Sequence, residues 1–266
     1  MPLCALCGLD RKLIKAHAIP EAFFRELRTG GEIPLLISGV QGHFPKKAPI
    51  GVYDEGILCE VCEPRFGAID DYGVNVFLKD FHSDFQPISQ GDQTAGFESA
   101  IADPTRLLQF LVSVLWRAST SMHPFYSKVD LGRHEPLARL AVNTLGFKLS
   151  DVFDAVLSRW KDKSEDIPTT AILDPRREKW SGINAYRLYL GETVAYVKVD
   201  ARPFPDRMRA ISLRSAPPVR VVARTMAESK DLRAMTHTAT RSHEGKQTFS
   251  TQKKSDLKPK NSRFRV

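Results

Sequence analysis

A chain of 266 residues has room for one large domain or two modest ones, and a hydrophobic content of 42% supplies a core. The net charge of +8 and pI of about 9.3 suit an anionic partner. The most apolar stretch, Leu107 to Trp116 between Arg106 and Arg117, makes a helix of roughly 15 Å against a hydrocarbon core of about 30 Å, so it is too short to span a bilayer. The MPLCALCG start lacks the layout of a secretory signal, so the expectation is a cytoplasmic, reducing setting in which four cysteines are not disulfides.

The first segment, residues 1–85, holds all four cysteines and is rich in glycine and proline between residues 29 and 56. Pro20 to Arg28 reads as a short helix opened by proline, and Ile50 to Tyr53 as a strand. A helix is predicted to start at Pro64 and bury Phe66, Ile69, Val74, Phe77 and Leu78, with Gly67 and Gly73 weakening it. Residues 86–100 are polar and contain Gly and Ser, which suits a linker.

The region 101–225 opens with the strongest helix signal in the chain. Asp103 is a good N-cap, Pro104 fits the first turn, and the apolar residues that follow surround the helix instead of striping it. That places the helix at the centre of a core, with Arg117 at its end partly buried and paired. Two further helices are expected, Pro136 to Leu145 and, capped by Ser150, Asp151 to Trp160. Strands are then predicted over Thr169 to Leu173, Ile183 to Leu190, Thr193 to Val199, Met208 to Leu213 and Val219 to Val222, with a hairpin turn at Gly191-Glu192. The helices and this small antiparallel sheet are expected to share one core.

The last segment, 226–266, reads as a disordered basic tail. Residues 227–266 hold six Lys and four Arg against four Asp or Glu, and few large apolar side chains. Two roles fit it, a solubilising end or an arm that contacts phosphates of a nucleic acid. His43, in the loop Gly42 to Lys47, is a weaker phosphate-contact candidate.

Cys4 and Cys7 form one Cys-x-x-Cys pair and Cys59 and Cys62 another. Each pair chelates from a tight turn, and two pairs complete a tetrahedral Cys₄ zinc site; a redox dithiol would need only one pair. A closed Cys₄ site is structural, so zinc explains folding and the chemistry must come from elsewhere. No phosphate-binding Gly-rich loop, dinucleotide fingerprint or serine elbow is present.

Between the pairs lies Ala16-His17-Ala18-Ile19-Pro20, then Tyr53-Asp54-Glu55-Gly56-Ile57-Leu58 before Cys59, with Glu63 following Cys62. This order resembles the HNH endonuclease family, in the form whose ββα-metal finger is embedded in a Cys₄ zinc cage. The resemblance covers residues 4 to about 80 and implies a treble-clef-like module in an α+β protein. It places His17 at the general base, Asp54 where the family has the asparagine that holds the base-bearing loop, and Glu63 where it has a second metal-binding side chain. It implies hydrolysis of DNA phosphodiesters with Mg²⁺ or Mn²⁺. The departures are Ala16, where the family supplies a metal ligand, Asp54 in place of asparagine, and Glu63 in place of histidine. Asp54 itself, or Asp70 seven residues beyond Glu63, is a possible compensating ligand. The alternatives are a zinc module without catalysis that binds nucleic acid or a protein partner, and a defence or regulatory component that cuts only with its partner.

Overall fold

The computed structural model describes residues 3–27, 35–36, 46–48, 50–143, 150–161, 172–227, 229–233 and 237. Its centre is the helix that the apolar run demands. α4 (Pro104–Thr120) begins at Asp103, whose Oδ1 accepts from the N–H groups of Thr105 (2.8 Å) and Arg106 (3.2 Å). That satisfies two of the four donors a helix N-terminus leaves open. Leu107, Leu108 and every residue from Phe110 to Ala118 are buried, so the helix is enclosed on all sides. Each of its Leu, Val and Phe side chains contributes about 1.5–3 kcal/mol by leaving water.

Three layers enclose α4. The first is the cysteine segment. β1 (Leu13–His17) and β4 (Tyr53–Cys59) pair antiparallel, with Leu13 opposite Cys59, Ala16 opposite Asp54 and His17 opposite Tyr53. Between them run α1 (Glu21–Arg25) and a short pairing of β2 (Leu35–Leu36) with β3 (Lys46–Lys47). After Cys62 a 3₁₀ turn, Glu63–Phe66, leads into α2 (Gly67–Val74), a wide π turn over Asn75–Lys79 and α3 (Phe81–Asp84). The helix expected from Pro64 is therefore present, and Gly73 has a packing reason. A Cβ there would lie 2.5 Å from the ring of Phe110, so the missing side chain lets α2 approach α4. The strand expected at Ile50 to Tyr53 starts instead at Tyr53 and carries the chain into Cys59.

The second layer is α5 (Glu135–Asn143), which packs on α4 much as expected from its sequence. The third is a seven-stranded sheet in the order β5-β6-β11-β7-β10-β9-β8. It is larger than expected and not wholly antiparallel, because β11 (Val219–Arg224) runs parallel to β7 (Phe153–Trp160). Two expectations are corrected here. Residues 86–100 are not a linker but a hairpin, β5 (Gln86–Gln90) and β6 (Gln93–Ser99), turned at Gly91 (φ +60°) and joined to the sheet through β11. The segment Asp151 to Trp160 is not a helix but the fully buried β7. Its period is two: Phe153, Ala155 and Leu157 join the core around α4, while Val156 and Trp160 join apolar clusters on the opposite face.

β9 (Ile183–Leu190) and β10 (Thr193–Val199) form the predicted hairpin, with Gly191 at φ +67°. β8 (Arg176–Trp180) pairs with β9 across Ser181 and Gly182, both at positive φ. Met208 to Leu213 is not a strand; α6 (Asp206–Arg209) occupies its start, and Met208 covers the far face of the sheet. Thr169 to Ala171, the first three residues of the strand expected to end at Leu173, lie outside the described residues, as do His43 and 238–266 of the expected tail. Met226 and Asp231, also assigned to that tail, are fully buried against the sheet. One continuous core runs from Cys4 through α4 to Val221, so the cysteine segment, the helices and the sheet are packed as one body.

Candidate metal centre and the histidine beside it

The two cysteine turns are brought together by β1 and β4. Around the first turn Gly8, at φ +70°, donates its N–H to the carbonyl of Cys4 (2.8 Å), and the Cys4 N–H reaches the carbonyl of Leu9 (3.1 Å). That φ is free for glycine and costly for other residues. The Ala5 N–H donates to Ile57 (2.9 Å), tying the first turn to β4, and the Cys59 N–H points at the Cys4 sulfur (3.4 Å). All four Sγ atoms lie within 4.8 Å of one another; Cys7 and Cys59 are 4.0 Å apart at sulfur. Four thiolates about 2.3 Å from one tetrahedral zinc would stand about 3.8 Å apart, so the cluster has the dimensions for a metal ion such as zinc. Cys4, Cys59 and Cys62 are buried and Cys7 is half-buried, and none is in a disulfide.

The thiols are unequal. Burial raises the pKa of Cys59, but the N–H groups of Val61 and Cys62 and the thiols of Cys62 and Cys4 outweigh it and hold the value at about 6. Burial and its thiol neighbours push Cys62 up.

His17 ends β1, half-buried, beyond this cluster. Its Nε2 is 2.8 Å from the carbonyl oxygen of Ile50. A carbonyl only accepts, so Nε2 carries the proton of the neutral ring and Nδ1 carries the lone pair. The ring meets Tyr53 edge to face, with centroids 6.1 Å apart. The His17 backbone is held as well: its carbonyl accepts from Arg117 Nη1 (2.9 Å).

Asp54 is a clamp. Its Oδ1 accepts from the Gly56 N–H (2.7 Å), and its Oδ2 from the Ser121 hydroxyl (2.6 Å) and the Met122 N–H (2.9 Å). Burial pushes its pKa up, but the Ser121 hydroxyl and the N–H groups of Gly56, Met122 and His123 outweigh that and leave it below the usual carboxylate value. These contacts staple β4 to the end of α4. Asp70 is engaged too, by a two-pronged ion pair with the buried Arg117 (2.7 and 2.6 Å). It is therefore not the free metal ligand that its spacing from Glu63 suggested. Glu63 sits half-buried in the 3₁₀ turn after Cys62.

Among the described residues, the four cysteines are the group in which three or more Cys, His, Asp or Glu donors come within reach of one ion. His17, Asp54, Glu63 and Asp70 make no second such group, and Ala16, opposite Asp54, offers no donor. The sequence flagged Arg117 as paired, but not that it joins Asp70 to the His17 carbonyl. Ser121 and the Ile50 carbonyl were missed, because neither residue type marks a role outside its three-dimensional setting. No helix among the described residues is long and apolar enough to cross a membrane. Comparison with protein families, with curated proteins and with solved structures yields no match to this chain.

Proposed function

We propose that this protein is an HNH-type endonuclease whose zinc-held ββα finger presents His17 as general base for the hydrolysis of DNA phosphodiesters. The observation that carries the reading is the hydrogen bond from His17 Nε2 to the Ile50 carbonyl, which leaves Nδ1 as the basic nitrogen. In the proposed reaction Nδ1 takes a proton from the water that attacks phosphorus, the P–O bond to the leaving sugar oxygen breaks and that oxygen takes a proton from solvent, and the Ile50 carbonyl stabilises the imidazolium through Nε2–H. Asp54 and Arg117 are positioning residues: Asp54 ties β4 to α4, and Arg117 anchors the His17 backbone. Zinc on Cys4, Cys7, Cys59 and Cys62 would supply folding free energy and no open coordination position. The two antiparallel strands followed by a helix, with a cysteine pair at each end of the strands, support a treble-clef-like reading of residues 3–74. Zinc-bound thiolates suit a reducing cytoplasm, and the +8 charge suits DNA.

The HNH reading carries with it a divalent ion such as Mg²⁺ or Mn²⁺. The described residues do not fit that part: Ala16 has no donor, Asp54 and Asp70 are occupied by hydrogen bonds, and Glu63 is the carboxylate left over. The proposed chemistry is therefore assigned to this chain's own residues.

Those same facts favour a second reading, a zinc module that binds nucleic acid or a protein partner without cutting. Plasmid DNA incubated with the zinc-loaded full chain, with Mg²⁺, Mn²⁺ or EDTA, separates the two. The nuclease reading expects nicking that His17→Ala removes. Binding that survives His17→Ala but is lost in Cys59→Ser, with no cleavage under any ion, would establish the second reading in its place.

A further inference from the structure

The far face of the sheet, opposite α4, holds a cavity of about 370 Å³ that the nuclease reading does not use. Its floor is made by side chains from three adjacent strands: Val222 of β11, Val156 and Ser158 of β7, and Tyr196 of β10. Trp180 at the end of β8 forms one wall and stacks on Tyr196, with centroids 4.4 Å apart and planes 24° from parallel. Met208 and Ile211 close it from the α6 side. The result is a slot with a flat aromatic wall and an apolar floor, of a size that small-molecule sites have.

Its polar groups have one sign. Arg224 and Arg207 line it, and no carboxylate does. Arg224 lies over the rings of Trp160 (4.3 Å) and Tyr196 (5.3 Å), and its Nη1 is 3.1 Å from Asp231 Oδ2. That contact leaves the rest of the guanidinium unserved. Nε and Nη2 are buried with no hydrogen-bond partner among the described residues, as is Nε1 of the neighbouring Trp160. A buried donor without an acceptor has given up its hydration with nothing in return, the more so when charged. Of the two oxygens of Asp231, Oδ1 is held by Tyr189 (2.6 Å) and Arg187, while Oδ2, beside Arg224, is likewise buried without a hydrogen bond among the described residues. The Ser158 hydroxyl, buried in the floor, donates to Val194 (3.3 Å) and keeps its lone pairs for another donor.

We propose that this cavity binds a small planar organic anion, a ring against the Trp180–Tyr196 aromatic pair with its carboxylate or phosphate beside the charge of the Arg224 side chain that lines the space. Arg207, exposed on α6, adds a second positive charge beside the same space. Both a mononucleotide and an aromatic carboxylate have this chemistry. The site does not depend on His17 or the cysteines, so its failure and that of the nuclease reading are separable.

Calorimetric titration of the zinc-loaded full chain tests it, with AMP, UMP and indole-3-acetate as probes and adenosine, indole and inorganic phosphate as controls. At least one anionic ring is expected to bind with a dissociation constant below about 1 mM, and each control at least about tenfold more weakly. AMP or UMP binding without indole-3-acetate identifies a nucleotide; the converse identifies an aromatic acid. Trp180→Ala and Arg224→Gln are each expected to weaken binding about tenfold or more. Should Arg224→Gln unfold, Ile211→Trp fills the slot and must abolish binding while the melting transition remains cooperative. No binding by any probe would mean a water-filled void and would overturn the proposal. So would equal binding of the neutral rings or bare phosphate, or unchanged affinity in all three variants.

Discussion

Arg117 grips both carboxylate oxygens of Asp70 from inside α4, and the same guanidinium donates to the backbone carbonyl of His17. One buried cation thus joins the central helix, the helix after the second cysteine pair and the strand that carries the proposed base. Phe66 packs against it, 4.5 Å from ring centroid to guanidinium.

Breaking that pair from either side is expected to be costly. Arg117 has a side-chain exposure of 3%, so Asp70→Ala leaves a charge with nowhere to go. A loss of about 3–5 kcal/mol is expected, read as a lower urea midpoint. Asp70→Asn, which keeps an oxygen for Arg117, should lose less. Equal stability of Asp70→Ala and the parent would mean that the pair does not hold this junction.

The cysteine cluster should bind one zinc per chain, read by elemental analysis of the purified protein. Cys59→Ser or strong chelation is expected to remove the metal and loosen the two cysteine turns, residues 4–8 and 59–62, first, because the metal is what would tie the four sulfurs to one another. Backbone amide exchange should rise there before it rises in β7 or β10. Retention of full protection in metal-free protein would show that zinc is not needed for folding.

The Asp54 clamp has a pH signature. The folded pKa lies below the ordinary carboxylate value of 3.8, so the unfolded chain binds the proton more tightly. The clamp's contribution is fully present above that unfolded value and is lost as pH falls through the lower folded one. The stability gap between the parent and Asp54→Asn should be constant near neutral pH and shrink in acid below 3.8. Ser121→Ala should reduce the gap at neutral pH. A gap that widens in acid would reverse the assignment.

Gly73→Ala places a methyl group against the buried ring of Phe110, which is itself stacked on Phe23. Overpacking of this kind costs about 1–3 kcal/mol, against the gain of about 1 kcal/mol that alanine brings to an ordinary helix interior. The melting temperature should therefore fall. A rise would mean that α2 has room to move away from α4.

What the sequence made legible follows from local rules. The Asp103 cap, the all-round apolar run of α4, the Gly191 turn and the cysteine pairs each state their structure within a few residues. The segments that escaped are those decided by distant partners. β7 follows Ser150, a good cap, and has Val and Leu at spacings that a helix also accepts; only its neighbours β10 and β11 make it a strand. The hairpin at 86–99 is polar because β5 is an exposed edge, so its composition looks like a linker. Within the candidate site, His17 and Asp54 were visible as residue types. The Ile50 carbonyl, the Ser121 hydroxyl and the pairing of Asp70 were not: the first depends on the chain before β4 returning to the end of β1, and the other two on α4 closing over the cysteine segment.

The tautomer of His17 is open to direct observation. Long-range nitrogen–proton correlation spectra of the neutral ring should show the proton on Nε2, held by the Ile50 carbonyl. A proton on Nδ1 would remove the basic nitrogen from the position that the reading requires.

The central claim is that His17 performs chemistry and not binding. The measurement that meets it most directly is binding and cleavage followed together on one labelled duplex DNA, for the parent and for His17→Ala, both zinc-loaded. The account predicts cleavage by the parent, and in the variant a loss of about a hundredfold or more with affinity nearly unchanged, as expected when a general base is removed. Cleavage that persists in His17→Ala, or a parent that binds DNA and never cuts it, would contradict it.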